Sequence, residues 1–202
     1  MMKMLQPLDE LLSECEHLHG HICPGQILGV RMALLGCRLI GLNDPKGRDR
    51  KSLIVWVEID RCMTDAVSAV TGVRLGKRSL KYLDYGKVAA TFLNLSDNSA
   101  VRLLALDESR VDADSLYSQV ESRKERQMLA YRELEDERLF KIERVRVDLD
   151  ELDMPGRPRS RVSCARCLEG INDGREVFDG IGEKICRACA FGVYYHIDAC
   201  EV

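Results

Sequence analysis

Four cysteines near the C-terminal end constrain this chain more than any other feature: Cys164-x2-Cys167-x18-Cys186-x2-Cys189. Each short pair can turn around one ion, and the segment between the pairs can return as a hairpin, so the spacing predicts a treble-clef-like, four-thiolate zinc module. The intervening segment supports this. It carries the turn residues Gly170, Asn172, Asp173, Gly174, Asp179, Gly180 and Gly182, interrupted by the strand-like Glu176-Val177-Phe178. Such a segment has little apolar core, so metal coordination must supply much of its folding free energy, ~10 kcal/mol or more for structural zinc. With four thiolates the shell is closed, and the ion has a structural role.

The rest of the chain is long enough for a packed domain. It has 202 residues, 46% hydrophobic and 31% charged, a soluble globular composition. A net charge of −3 gives no general reason to expect nucleic acid or an anionic membrane as partner. Between Cys164 and Cys189, four basic residues (Arg166, Arg175, Lys184, Arg187) face five acidic ones, a net of −1, which disfavours a phosphate-binding face despite Arg157, Arg159 and Arg161 upstream. No run reaches the ~18 apolar residues of a membrane span, and the first residues lack a signal-peptide pattern. A cytoplasmic protein is expected. In that reducing compartment the nine cysteines read as metal ligands and thiols rather than disulfides.

Periodicity places a first helix over 7–17 and a buried one from Gln26 to Ile40, opened by Pro24. Leu53–Ile59 reads as a strand, followed by a helix capped by Thr64 or Asp65 and ending near Gly72. Val88–Leu95 and Val101–Leu106 are further strands, Leu116–Leu134 a solvated helix and Phe140–Val147 a last strand. Met154-Pro155-Gly156-Arg157-Pro158 reads as a linker. The expected organisation is a domain over 1–153, a linker over 154–161 and the four-cysteine finger over 162–202. Gly72–Ser79 is one residue short of a phosphate loop and lacks its Ser or Thr after Lys77. Lys77, Lys81 and Lys87 read first as solvated surface cations, with the lining of a cleft for an anionic ligand as the alternative.

A second chemical constellation lies near the start. His17-Leu18-His19-Gly20-His21-Ile22-Cys23 holds three of the four histidines and one cysteine, and Cys62 falls at the start of another helix. Imidazole and thiolate are the usual ligands of zinc and related ions, and helix N-termini favour thiolate. The competing reading places Cys23 and Cys62 in the core, as it does Cys15 and Cys37. His21 and Cys62 are the first candidates for a shared ion, with His19 and Cys23 as further ligands and Asp65 to orient an imidazole. Cys62, His21 and Cys23 are also the candidate catalytic residues.

The run His19-Gly20-His21-Ile22-Cys23-Pro24-Gly25-Gln26-Ile27-Leu28-Gly29 resembles the signature of the FmdE family, named for the FmdE subunit of molybdenum or tungsten formylmethanofuran dehydrogenase. Cys62-Met63-Thr64-Asp65 through Gly72 and Asp84-Tyr85-Gly86-Lys87-Val88 resemble its later blocks. The resemblance implies an α+β domain related to the catalytic-domain fold of glyceraldehyde-3-phosphate dehydrogenase, an intertwined homodimer, and a cleft holding His19, His21, Cys23, Cys62 and Asp65. It also implies a zinc-finger extension and a protein partner tied to molybdenum- or tungsten-dependent one-carbon oxidoreduction. Fold analogy gives no dehydrogenase activity. Three functions therefore stand: a metal-binding accessory protein with a structural zinc and a second ion in the cleft, an enzyme using a cleft thiolate or open metal, and a nucleic-acid-binding regulator.

Overall fold

The computed structural model describes residues 7–196; the outer ends of both expected domains lie outside them. The chain divides into two compact units, one up to Asp148 and one from Leu149 onward. Among the described residues no helix is long and apolar enough to cross a membrane.

The first unit is α+β. Helix α1 (Leu8–His19) buries Leu11, Leu12 and Cys15 at helical spacing. Gly20 ends it in the left-handed conformation at φ 89°, donating its N–H to Glu16 O. Helix α2 (Pro24–Leu39) follows at once, with Pro24 at its first position, where the missing N–H costs nothing. It is apolar nearly all round and buried, as expected.

Strand β1 (Leu53–Val57) leads into helix α3 (Cys62–Thr71), closed by left-handed Gly72. Neither Thr64 nor Asp65 caps α3; its N-cap is Arg61, and Thr64 Oγ1 instead donates to Ile59 O at 2.5 Å, tying the first turn to the end of β1. Cys62 therefore lies inside the helix rather than before it. The Gly72–Ser79 stretch forms this cap and a short 3-10 turn, Leu75–Lys77, followed by an unexpected strand β2 (Leu80–Tyr82).

Strands β3 (Ala89–Asn94) and β4 (Ala100–Ala105) form the expected antiparallel pair. The expected helix 116–134 is shortened to α5 (Arg123–Glu133), because Ser122 caps its start by accepting from Glu125 N–H, and an unexpected α4 (Glu108–Leu116) precedes it. That S-x-x-E signature was readable in the sequence. A short α6 (Asp136–Leu139) precedes β5 (Phe140–Arg144). The sheet order is β2-β1-β3-β4-β5, with only β1 and β2 parallel. Its register sets Val55 opposite Phe92 and Phe92 opposite Val101, so alternate residues of three strands present one apolar face.

Helix α2 lies against this sheet and against α3 through glycines. A Cβ at Gly36 would come within 2.4 Å of the Phe92 ring, and one at Gly29 within 2.6 Å of Met63 O and 2.7 Å of Ala66 Cβ. Arg31 fastens the same helix from its other side. Its guanidinium donates to Leu134 O at 2.7 Å and Tyr131 O at 3.1 Å, using carbonyls that the end of α5 leaves unpaired, and to Asp136 Oδ1 at 2.6 Å.

The second unit opens with a 3-10 turn, Glu151–Asp153. Strand β6 (Arg161–Ser163) pairs with β7 (Gly170–Asn172), and β8 (Val177–Phe178) with β9 (Lys184–Ile185) before helix α7 (Arg187–Phe191). Within the 154–161 stretch, Arg159 N–H donates to Asp173 Oδ1 at 2.7 Å and Arg161 pairs in β6, so its end belongs to this unit. The buried apolar core is Cys164, Ile171 and Ile185.

Replacing Gly29 with alanine forces α2 off α3, since backbone cannot yield as a flexible side chain would. Urea unfolding of Gly29→Ala should show a loss of about 1–3 kcal/mol. An unchanged midpoint would mean that the two helices separate at no cost.

Candidate metal centres

In the second unit, Cys164 and Cys167 lie on the turn between β6 and β7, Cys186 is the N-cap of α7, and Cys189 is within its first turn. Leu168 takes φ 66° to close the first turn, with its N–H on Cys164 O. The four sulfurs lie within 4.8 Å of one another. A tetrahedral ion with metal–sulfur bonds of about 2.3 Å sets sulfurs about 3.8 Å apart, and Cys167 and Cys186 Sγ stand at 3.8 Å. The donor set fits one thiophilic ion.

Backbone N–H groups prepare it for negative charge. Cys186 N–H donates to Cys164 Sγ at 3.2 Å, Arg166 N–H to the same sulfur at 3.4 Å, and Cys189 N–H to Cys186 Sγ at 3.3 Å. Backbone donation, from Cys167 above all, holds the Cys164 thiol down to about 6. Cys189 is pushed up to about 12 by hydrogen bonding with Cys186 and Cys167, so an ion binding there must displace its proton.

In the first unit, three elements converge. His19 is the last residue of α1, Cys23 the N-cap of α2 and Cys62 the first residue of α3. One ligand atom from each lies within 4.8 Å of the other two. Gly25 lies beside them: a side chain there would begin 3.4 Å from Cys62 Cβ and 3.8 Å from Cys23 Sγ, ordinary van der Waals distances. Asp65, one turn beyond Cys62, accepts a 2.9 Å hydrogen bond from His19 Nδ1. A carboxylate so placed fixes the ring's tautomer and leaves Nε2 with the free lone pair.

The histidine of this group is His19, whereas the sequence put His21 first. His21 lies beyond the Gly20 turn and is exposed, its ring centroid 4.9 Å from that of His19. His17 is exposed on α1. Cys15 and Cys37 are buried, 1% and 0% exposed, and burial raises their thiols to about 11 and about 12, so both are core residues as expected. The Cys62 thiol is also raised, first by burial and then by its hydrogen bond with Cys23; these effects outweigh the helix terminus expected to favour thiolate. Sequence reasoning had Asp65 as an orienting group, and the structure assigns it to His19.

Three comparisons bear on these geometries. The sequence model of the FmdE family, described as FmdE, molybdenum formylmethanofuran dehydrogenase operon, matches residues 18–151. A probable S-adenosyl-L-methionine-binding protein of Archaeoglobus fulgidus is 39% identical over 97 residues, which are 48% of this chain and 26% of that protein. The chain thus spans about a quarter of that relative. A tungsten formylmethanofuran dehydrogenase FmdE-like protein from Syntrophus aciditrophicus superposes with a TM-score of 0.63 at 21% identity, covering 96% of this chain and 98% of that one. That likeness establishes the α+β fold. With the family match running from α1 to the start of the second unit, across His19, Cys23 and Cys62, the chain belongs to the FmdE family.

Proposed function

We propose that this protein is a metal-binding accessory protein whose first unit holds an ion through His19, Cys23 and Cys62 and whose second unit is a structural zinc module. The observation that carries the reading is the convergence of one imidazole and two thiols from three separate elements. Three protein donors leave a tetrahedral ion one open position, for water, a small ligand or a residue of a partner. Zinc suits the four-cysteine set, as a d10 ion that takes tetrahedral thiolate coordination without redox chemistry.

The partner in this reading is a molybdenum- or tungsten-dependent oxidoreductase complex, in keeping with the family. Docking through the zinc module is supported by its exposed apolar side chains, Leu168, Phe178, Ile181 and Phe191. The net charge of −1 between its outer cysteines favours a protein over nucleic acid. The eight described cysteines are all free thiols, which suits the reducing cytoplasm. A homodimer is part of the proposal, supported by exposed Leu75, Tyr82, Leu83 and Tyr85 around the edge strand β2. Sedimentation at micromolar concentration should then report about twice the chain mass, and a strictly monomeric species removes the dimer.

Metal analysis tests the main claim. The chain should carry two ions, one removed by mild chelation. Cys62→Ser and His19→Ala should each lose the exchangeable ion and keep the other, while His21→Ala keeps both. Cys164→Ser should lose the tightly held ion and leave the first unit folded against proteolysis. Equal metal content in the wild type, Cys62→Ser and His19→Ala would return those residues to the core.

A further inference from the structure

The Asp84-Tyr85-Gly86-Lys87-Val88 block takes no part in either metal centre. It borders a cavity of about 350 Å3 that shares none of its lining residues with them. This volume lies at the small end of the range for small-molecule sites, roughly 300–1,000 Å3. Its lining includes the apolar side chains of Leu28 of α2 and Leu104 of β4 and the ring of Tyr131 of α5. It also includes Lys87 before β3 and Asp107 and Arg110 at the start of α4.

Several groups along these walls lack partners. The Asp107 carboxylate does not cap α4, and the Asp107 backbone N–H makes no hydrogen bond among the described residues. The positive end of a nine-residue helix thus meets the cavity with one unused donor, since the Ser109 and Arg110 N–H groups already donate to Leu106 O and Asp107 O. Lys87 forms no ion pair among the described residues, and Arg110 meets Asp107 only at 3.4 Å. Independently of the helix, Tyr131 is 2% exposed and contributes to the wall, yet its hydroxyl has no hydrogen-bond partner among the described residues. A hydroxyl on so buried a side chain, without a protein partner, is left for water or a ligand in the cavity to satisfy.

We propose that this cavity is a binding site for a small organic monoanion: a carboxylate held by the α4 N-terminus and Lys87, with a compact apolar body against Leu28, Leu104 and Tyr131. Charge decides between carboxylate and phosphate. Lys87 and Arg110 contribute two positive charges and Asp107 one negative, leaving a net of +1 that one carboxylate neutralises. A dianionic phosphate ester would exceed that charge and set its excess beside the exposed Asp107 carboxylate.

Benzoate is the probe, with benzamide as its uncharged isostere and phenyl phosphate as the dianion, each titrated calorimetrically into the full chain. Benzoate should bind saturably at one site per chain, at least about tenfold more tightly than benzamide, a ratio worth about one charge-assisted hydrogen bond. Lys87→Met should weaken benzoate by about tenfold and leave benzamide unaffected. Tyr131→Phe, which removes only the hydroxyl and keeps the packing ring, should alter the affinity for 4-hydroxybenzoate more than that for benzoate. Cys62→Ser should bind benzoate as the wild type does, which separates this site from the metal centre. Benzoate binding no tighter than benzamide, or equal benzoate affinity in the wild type and Lys87→Met, overturns the assignment. Phenyl phosphate binding more tightly than benzoate overturns the choice of a monoanion.

Discussion

The approach of α2 to α3 depends on glycine at position 29, where a single methyl group would press on the backbone of Met63 and on Ala66. Because the two helices meet closely there, their starts bring the Cys23 and Cys62 sulfurs within 4.8 Å of each other. Arg31 holds α2 in that position by satisfying the carbonyl end of α5 and pairing with Asp136. The left-handed turn at Gly20 then delivers His19 to the same point. Helix packing and one glycine turn thus place three donors that lie far apart in the sequence. Any ion held there inherits the rigidity of the helix starts, as preorganised ligand sets require.

The two metal centres differ in what they leave open. Four thiols from a turn and a helix start are placed to close around one ion, with N–H groups of the same backbone directed at the sulfurs. The apolar core of that unit is Cys164, Ile171 and Ile185, too small to specify its two hairpins without an ion. In the first unit the fold stands on its own apolar core, so the His19, Cys23 and Cys62 set is free of that structural duty. A group of donors that folding does not require, held by glycine contacts and oriented by Asp65, is where function is expected.

Much of this was legible in the sequence, and the misses have physical causes. The four-cysteine spacing identified its centre because both pairs lie within short turns, where sequence distance and spatial distance agree. The α+β class came with the family resemblance, while the periodicities marked single elements that burial preserved, α2 and β1 for example. The order of the first centre was harder. His19 and His21 are equivalent as a sequence pattern, and only the conformation of Gly20 sends one to the thiols and the other to solvent. The break between α4 and α5 was written in Ser122 and Glu125, but charge density concealed it. Strand β2 has three residues and its parallel partner lies well upstream, so no local pattern marked it.

Cadmium NMR of the metal-substituted chain tests the central claim most directly, since the chemical shift separates a four-sulfur shell from one with two sulfurs and an imidazole. The account predicts two resonances of equal intensity. One should lie at the four-thiolate position, and the other at a mixed sulfur–nitrogen position that couples to labelled nitrogen of His19 alone. A single four-thiolate resonance at saturating cadmium would contradict it.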